Sequence, residues 1–112
     1  MLYPPHIIVT VSLYPSGQSV YPLSLQGTDI QFRYGYPPHD WFCCFYGESD
    51  QEGYLMPGET TIGGIEMFSP DAHFDQFWVG MPFQLAYGQS VIADGIILDV
   101  VDLRMLAPTP SS

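Results

Sequence analysis

Ile7, Val9, Val11 and Leu13 recur at every second position near the start of the chain, with Ile8, Thr10 and Ser12 between them. That period of two predicts a strand over 6–14 whose first set faces a core. Pro15-Ser16-Gly17 ends it as a turn. A strand-like piece follows over 19–25, where Pro22 confines it to an edge or an irregular segment. Gly27-Thr28 turns the chain again, and Ile30, Phe32 and Tyr34 alternate through another strand. After a loop over 35–40, the aromatic and cysteine run 41–46 is long enough for a buried strand. Residues 48–53 read as a solvated turn, and Met56-Pro57-Gly58-Glu59 as a tight bend with Gly58 at the positive-φ position. The strand over 60–68 places Ile62 on the opposite face from Ile65 and Met67, unless Gly63-Gly64 makes a bulge.

The clearest pattern lies over 80–97. Phe83 and Leu85 alternate with Gln84 and Ala86, Gly88-Gln89-Ser90 reverses the chain, and a second apolar run follows. It continues as one long strand over 92–103, with Asp99 and Asp102 on its rims. No window of helical length carries a 3.6-residue period free of Gly or Pro. The expected fold is all-β, a small antiparallel β-barrel of about six to seven strands. One domain is expected over 1–106, with a disordered tail over 107–112.

Composition agrees with a folded core, since 46% of the 112 residues are hydrophobic and 15% aromatic. Charge narrows the function. The chain has 12 acidic residues, no lysine and only Arg33 and Arg104, for a formal net charge of -10. Nucleic-acid backbones are bound through neutralising cations, so no nucleic-acid partner is expected. An acidic surface favours a basic partner. Residues 1–6 lack the positive region and apolar core of a signal peptide. No segment approaches the roughly 20 apolar residues of a membrane span. Neighbouring cysteines, Cys43 and Cys44, cannot close an ordinary framework disulfide. The expected location is cytoplasmic, with no membrane partner.

Candidate chemistry is sparse. His39, Asp40, Cys43 and Cys44 gather metal-ligand types within six residues. Adjacent cysteines in a strand point to opposite faces, and no second cluster completes a zinc pattern. No metal and no cofactor are therefore expected. Asp71, His73 and Asp75 suggest an acid/base pair, but a histidine beside acids in a loop is expected to be solvated, and no nucleophile has a recognisable context. No enzyme is expected. Rings interleaved with acids make the more informative group. Tyr36, Asp40, Trp41, Tyr46, Glu48, Asp50 and Glu52 form the expected partner-binding patch, since exposed aromatics bordered by acids suit a cationic protein.

Gly80, Phe83, Gly88 and Gly95 match, without gaps, a G-L-R-F-A-I-R-E-G-G-R-T-V-G-A-G-V-V hairpin pattern. Met56-Pro57-Gly58-Glu59 is similar to an M-P-G-D turn, and Ser69-Pro70 keeps the spacing from it to a later proline. Residues 27–33 are similar to a G-Y-R-P-Q-F-Y segment. In their order and spacing, over roughly 6–103, these motifs resemble the C-terminal β-barrel (third domain) of elongation factor Tu-like translation factors. The resemblance implies a barrel that helps hold a tRNA stem and contacts protein partners. It reaches no GTPase domain, because the chain has no Gly-rich phosphate loop. The family's basic residues in the hairpin are here Pro82, Ala86 and Ser90, and its basic Gly-Gly-Arg turn is Ser16-Gly17-Gln18. The expectation is a stand-alone, non-catalytic, protein-binding barrel, sharpest as an immunity or antitoxin-like inhibitor that masks a basic toxin nuclease. The alternative is a translation-associated barrel that binds tRNA or the ribosome.

Overall fold

Strand β1 (Ile7–Leu13) realises the opening alternation residue by residue: Ile7, Val9, Val11 and Leu13 are buried and the residues between them are partly exposed. Each such side chain taken out of water contributes about 1.5–3 kcal/mol, so this face alone commits β1 to the interior. A computed structural model describes residues 5–15, 20–35, 38–48 and 53–108. Within them lie β2 (Leu23–Ser24), β3 (Thr28–Tyr34), β4 (His39–Gly47), β5 (Tyr54–Leu55), β6 (Thr60–Met67), β7 (Pro82–Tyr87) and β8 (Ser90–Val100). Short 3₁₀ turns occupy Pro70–His73 and Leu103–Met105. Residues 109–112 of the predicted tail lie outside the described residues.

Six strands close an antiparallel barrel in the order β1-β6-β4-β3-β7-β8, and β2 and β5 form a separate two-stranded sheet. All-β architecture is thus as expected. Level with one another around the outside run Asp40, Arg33, Gln84, Asp94, Ser12 and Thr60, one from each barrel strand. Extending the Cys43↔Met67 register puts Asp40 level with position 70, so the row returns ten residues from where it began. That stagger goes with the strand tilt that barrel closure requires.

One turn and two bulges set the strand phases. Glu59 N–H donates to the Met56 carbonyl at 3.0 Å, Gly58 has φ 87°, and Gly58 N–H donates to the Leu13 carbonyl. The Met56–Glu59 bend is a type II turn hydrogen-bonded to the end of β1, with glycine where φ must be positive. β8 is the long strand expected, but it spans Ser90–Val100 rather than 92–103 and carries both bulges. Its register shifts opposite Leu85/Ala86 and opposite Ile8/Val9, which places the extra residues at Ile92 and Leu98. Each bulge inverts which parity faces inward, so Ile92 and Ala93 are both buried while Leu98 and Asp99 are both exposed. The strand stops at Val100 because Val101 and Asp102 N–H both turn onto the His6 carbonyl. The Asp102 carboxylate then caps the next 3₁₀ turn through Arg104 N–H.

The open register of the sixth strand resolves without a bulge. β1 and β6 pair continuously from Ile7↔Ile65 to Ser12↔Thr60, so Ile62 faces outward and is 40% exposed. Gly63 fills the inward position between Ile65 and Thr61. A Cβ there would collide with the Tyr46 carbonyl and press on the Phe45 ring, so a glycine is required by close approach. Aromatic rings share the interior with aliphatic side chains: Phe32 stacks on Phe83 at 4.5 Å between centroids and leans on Phe77 at 5.6 Å.

Candidate functional site

Strand β4 carries most of the predicted partner patch, and its pairing decides where each residue goes. Cys43 and Phe45 face the core at 0% exposure, which fixes the parity of the whole strand. Asp40 is therefore outward. It grips its cross-strand neighbour Arg33 with two bonds, from Nε at 2.6 Å and from Nη2 at 3.0 Å. The guanidinium holds the Asp40 carboxyl below the usual carboxylate range. Trp41 is half-buried and meets His73 edge-on at 4.7 Å, so it covers the barrel end rather than standing free. Tyr46 is half-buried on the outer face and donates to Glu66 Oε2 at 3.2 Å. Burial raises its phenol above the ordinary range. Glu48 is exposed just beyond the strand. Tyr36, Asp50 and Glu52 lie outside the described residues.

The outer face also carries two rings that lie outside the predicted patch. Phe42 is 64% exposed and Phe68 51% exposed, and Phe68 N–H donates to the Phe42 carbonyl at 3.1 Å, which puts the two side by side. Glu66 lies opposite Cys44 on the same pair of strands. The group on this face is thus Phe42, Phe68, Tyr46, Glu66 and Glu48. Alternation places Phe42 on one face with Cys44 and Tyr46, and the burial of Cys43 and Phe45 makes that face the outer one.

The metal candidates separate. Cys43 is in the core, and Cys44 sits on the opposite side of β4 at 8% exposure; burial pushes both thiols up. His39 is exposed, beside Tyr34 across the strand pair. Among the described residues no three His, Cys, Asp or Glu side chains converge as a metal site would require. His73 overturns the expectation of a solvated loop histidine. It is 0% exposed, stacked on Phe77, with Nδ1 2.7 Å from the Tyr34 hydroxyl and Nε2 without a partner among the described residues. Burial, helped by the nearby His6, lowers it to about 4, so the ring is neutral at pH 7. Asp71 and Asp75 stay exposed at the surface. The physical reason is that the Pro70–His73 turn tucks its last residue under Trp41 while its acids remain in water.

Both arginines are engaged: Arg33 with Asp40, and Arg104 with Asp102 at 2.8 Å. Against twelve acids the chain sets only these two arginines, so a formal net charge of -10 remains. No described helix is long and apolar enough to cross a membrane. No protein-family model matches the chain, and no curated protein does.

Proposed function

We propose that the protein is a non-catalytic, acidic protein-binding barrel whose partner is a basic protein, in the manner of an immunity or antitoxin-like inhibitor that masks a toxin nuclease. The carrying observation is electrostatic. Both guanidiniums are held by aspartates, and the chain meets a partner with a formal net charge of -10. Attraction of that kind accelerates encounter with a cationic surface and repels acidic ones. Phe42 and Phe68, exposed on the same outer face as Glu66 and Tyr46, supply the desolvated contact that charge alone does not. Kinship with the third-domain barrel of elongation factor Tu-like factors belongs to the same proposal, and the closed six-strand barrel and the type II turn at Gly58 support it. With neither arginine free, protein contact is the part of that inheritance the chain is equipped to keep.

A pull-down against a panel of basic nuclease domains, repeated across a salt series, tests the reading. Binding should weaken as salt rises and fall further when Phe42→Ala is combined with Glu48→Gln and Glu66→Gln. No binding at low salt, or binding indifferent to that triple change, would count against it. A parallel filter assay with tRNA should retain no complex at physiological salt; tight, salt-sensitive retention would favour the translation-associated reading.

A further inference from the structure

On the far side of the barrel from Phe42 and Phe68 lies a cleft of ≈ 910 Å³. Its floor is the outer surface of β7, β8 and β1, with Arg33 of β3 at one end. Two rows of cross-strand neighbours cross this floor. The first is polar, Arg33 beside Gln84 beside Asp94 beside Ser12. The second sets Pro82 beside Ile96 beside Thr10. Trp78, 52% exposed, stands over the lower row, where the Gly80 N–H and Met81 carbonyl tie its loop to Ile97 of β8.

Asp94 is the charged group the rest of the cleft leaves available. The Tyr14 hydroxyl donates to its Oδ1 at 2.8 Å and Gln84 Nε2 to the same oxygen at 3.4 Å. Both bonds hold the carboxylate in place and both end on Oδ1, so Oδ2 has no partner among the described residues. Arg33 does not compete for it. Its fork is closed on Asp40, and two strand spacings, about 10 Å, separate it from Asp94. One free carboxylate oxygen, an accessible indole and an apolar floor therefore share one concavity.

We propose that this cleft binds a small organic cation, an amine or guanidinium carried on an apolar body. Asp94 Oδ2 accepts its N–H groups, and Trp78, Pro82 and Ile96 cover the apolar part. Charge-assisted hydrogen bonds and an indole near a cation are each favourable, and more so where water is displaced. The volume lies within the roughly 300–1,000 Å³ of small-molecule sites and exceeds what one protein side chain fills. The surplus of negative charge disfavours an anionic ligand.

The test uses the full chain, isotope-labelled, titrated with phenethylamine, its neutral counterpart phenethyl alcohol, its acid counterpart phenylacetate, and a short lysine peptide. Phenethylamine should move the Trp78 indole N–H, the Gln84 side-chain amide and the Ile96 methyls, with the alcohol weaker and the acid silent. Asp94→Asn keeps an acceptor for Tyr14 and should weaken the amine about tenfold. Trp78→Leu should weaken it and leave the charge preference intact. Equal response to amine and alcohol, indifference to Asp94→Asn, or response to the lysine peptide alone would overturn the assignment. None of these outcomes depends on whether the protein captures a nuclease.

Discussion

Acid should destabilise this protein through one buried ring, His73, and the size of the effect follows from where that ring sits. Burial and the neighbouring His6 lower His73 from the ordinary 6.5 to about 4. Between those two values the unfolded chain takes up a proton that the folded one refuses. Stability therefore falls as pH falls, starting near 6.5, and the loss levels off below about 4. A shift of that size corresponds to about 2 kcal/mol lost by pH 5 and about 3 kcal/mol by pH 4. Other groups titrate too, since protonating surface carboxylates relieves the repulsion of a chain at -10. Asp40 and Asp102, held low by their arginines, lose their contribution only below the ordinary carboxylate range. Comparison with His73→Phe, a ring of similar size that cannot titrate, cancels these shared terms. Urea unfolding followed by tryptophan fluorescence at pH 7.5, 6, 5 and 4 measures both proteins. The wild type should lose ground to the variant by the amounts above, with no relative change above pH 7. Parallel pH profiles would refute the reasoning. So would a His73 Cε1 proton resonance titrating near 6.5 in the wild type, a measurement that holds even if the variant folds poorly.

Gly95 faces inward from β8, and a Cβ there would land on the Phe83 ring, which is backed by its stack on Phe32. Gly95→Ala should cost about 1–3 kcal/mol as overpacking, and much less in a Phe83→Leu background; equal cost in both backgrounds would sink the contact. At the paired cysteines, iodoacetamide should label native Cys43 hardly at all and Cys44 slowly, because both thiols are buried and pushed toward the neutral form, with both labelled rapidly in urea. Rapid native labelling of Cys43 would contradict its place in the core.

Much of the barrel is legible in the chain because it rests on neighbours one, two or four residues apart. The alternation of Ile7, Val9, Val11 and Leu13 needs nothing beyond a two-residue period, and the Gly58 turn needs only a proline before a glycine. The hairpin over 82–100 closes where Gly88-Gln89 reverses the chain, and its strands pair from Tyr87↔Ser90 onward. The strand count also follows from such local signals. The same period, however, says only which residues share a face, not which face is inside. For β4 that choice comes from pairing with β3 and β6, and so Phe42 stands exposed while Trp41, in the predicted patch, leans on His73.

Elsewhere tertiary structure decides against the local pattern. Two bulges flip the parity of β8, and a backbone carbonyl from β4 denies Gly63 a side chain. His73 sits among Asp71 and Asp75 in sequence but under aromatic rings in space, and that placement alone makes it a neutral core residue. The cleft is the extreme case. Ser12, Arg33, Gln84 and Asp94 come from four strands and become neighbours only when the sheet closes with its stagger. Composition by itself determined the acidic character, because charge counts survive any fold. Which carboxylate is left free beside an indole was decided only by closure, because closure sets which distant side chains meet.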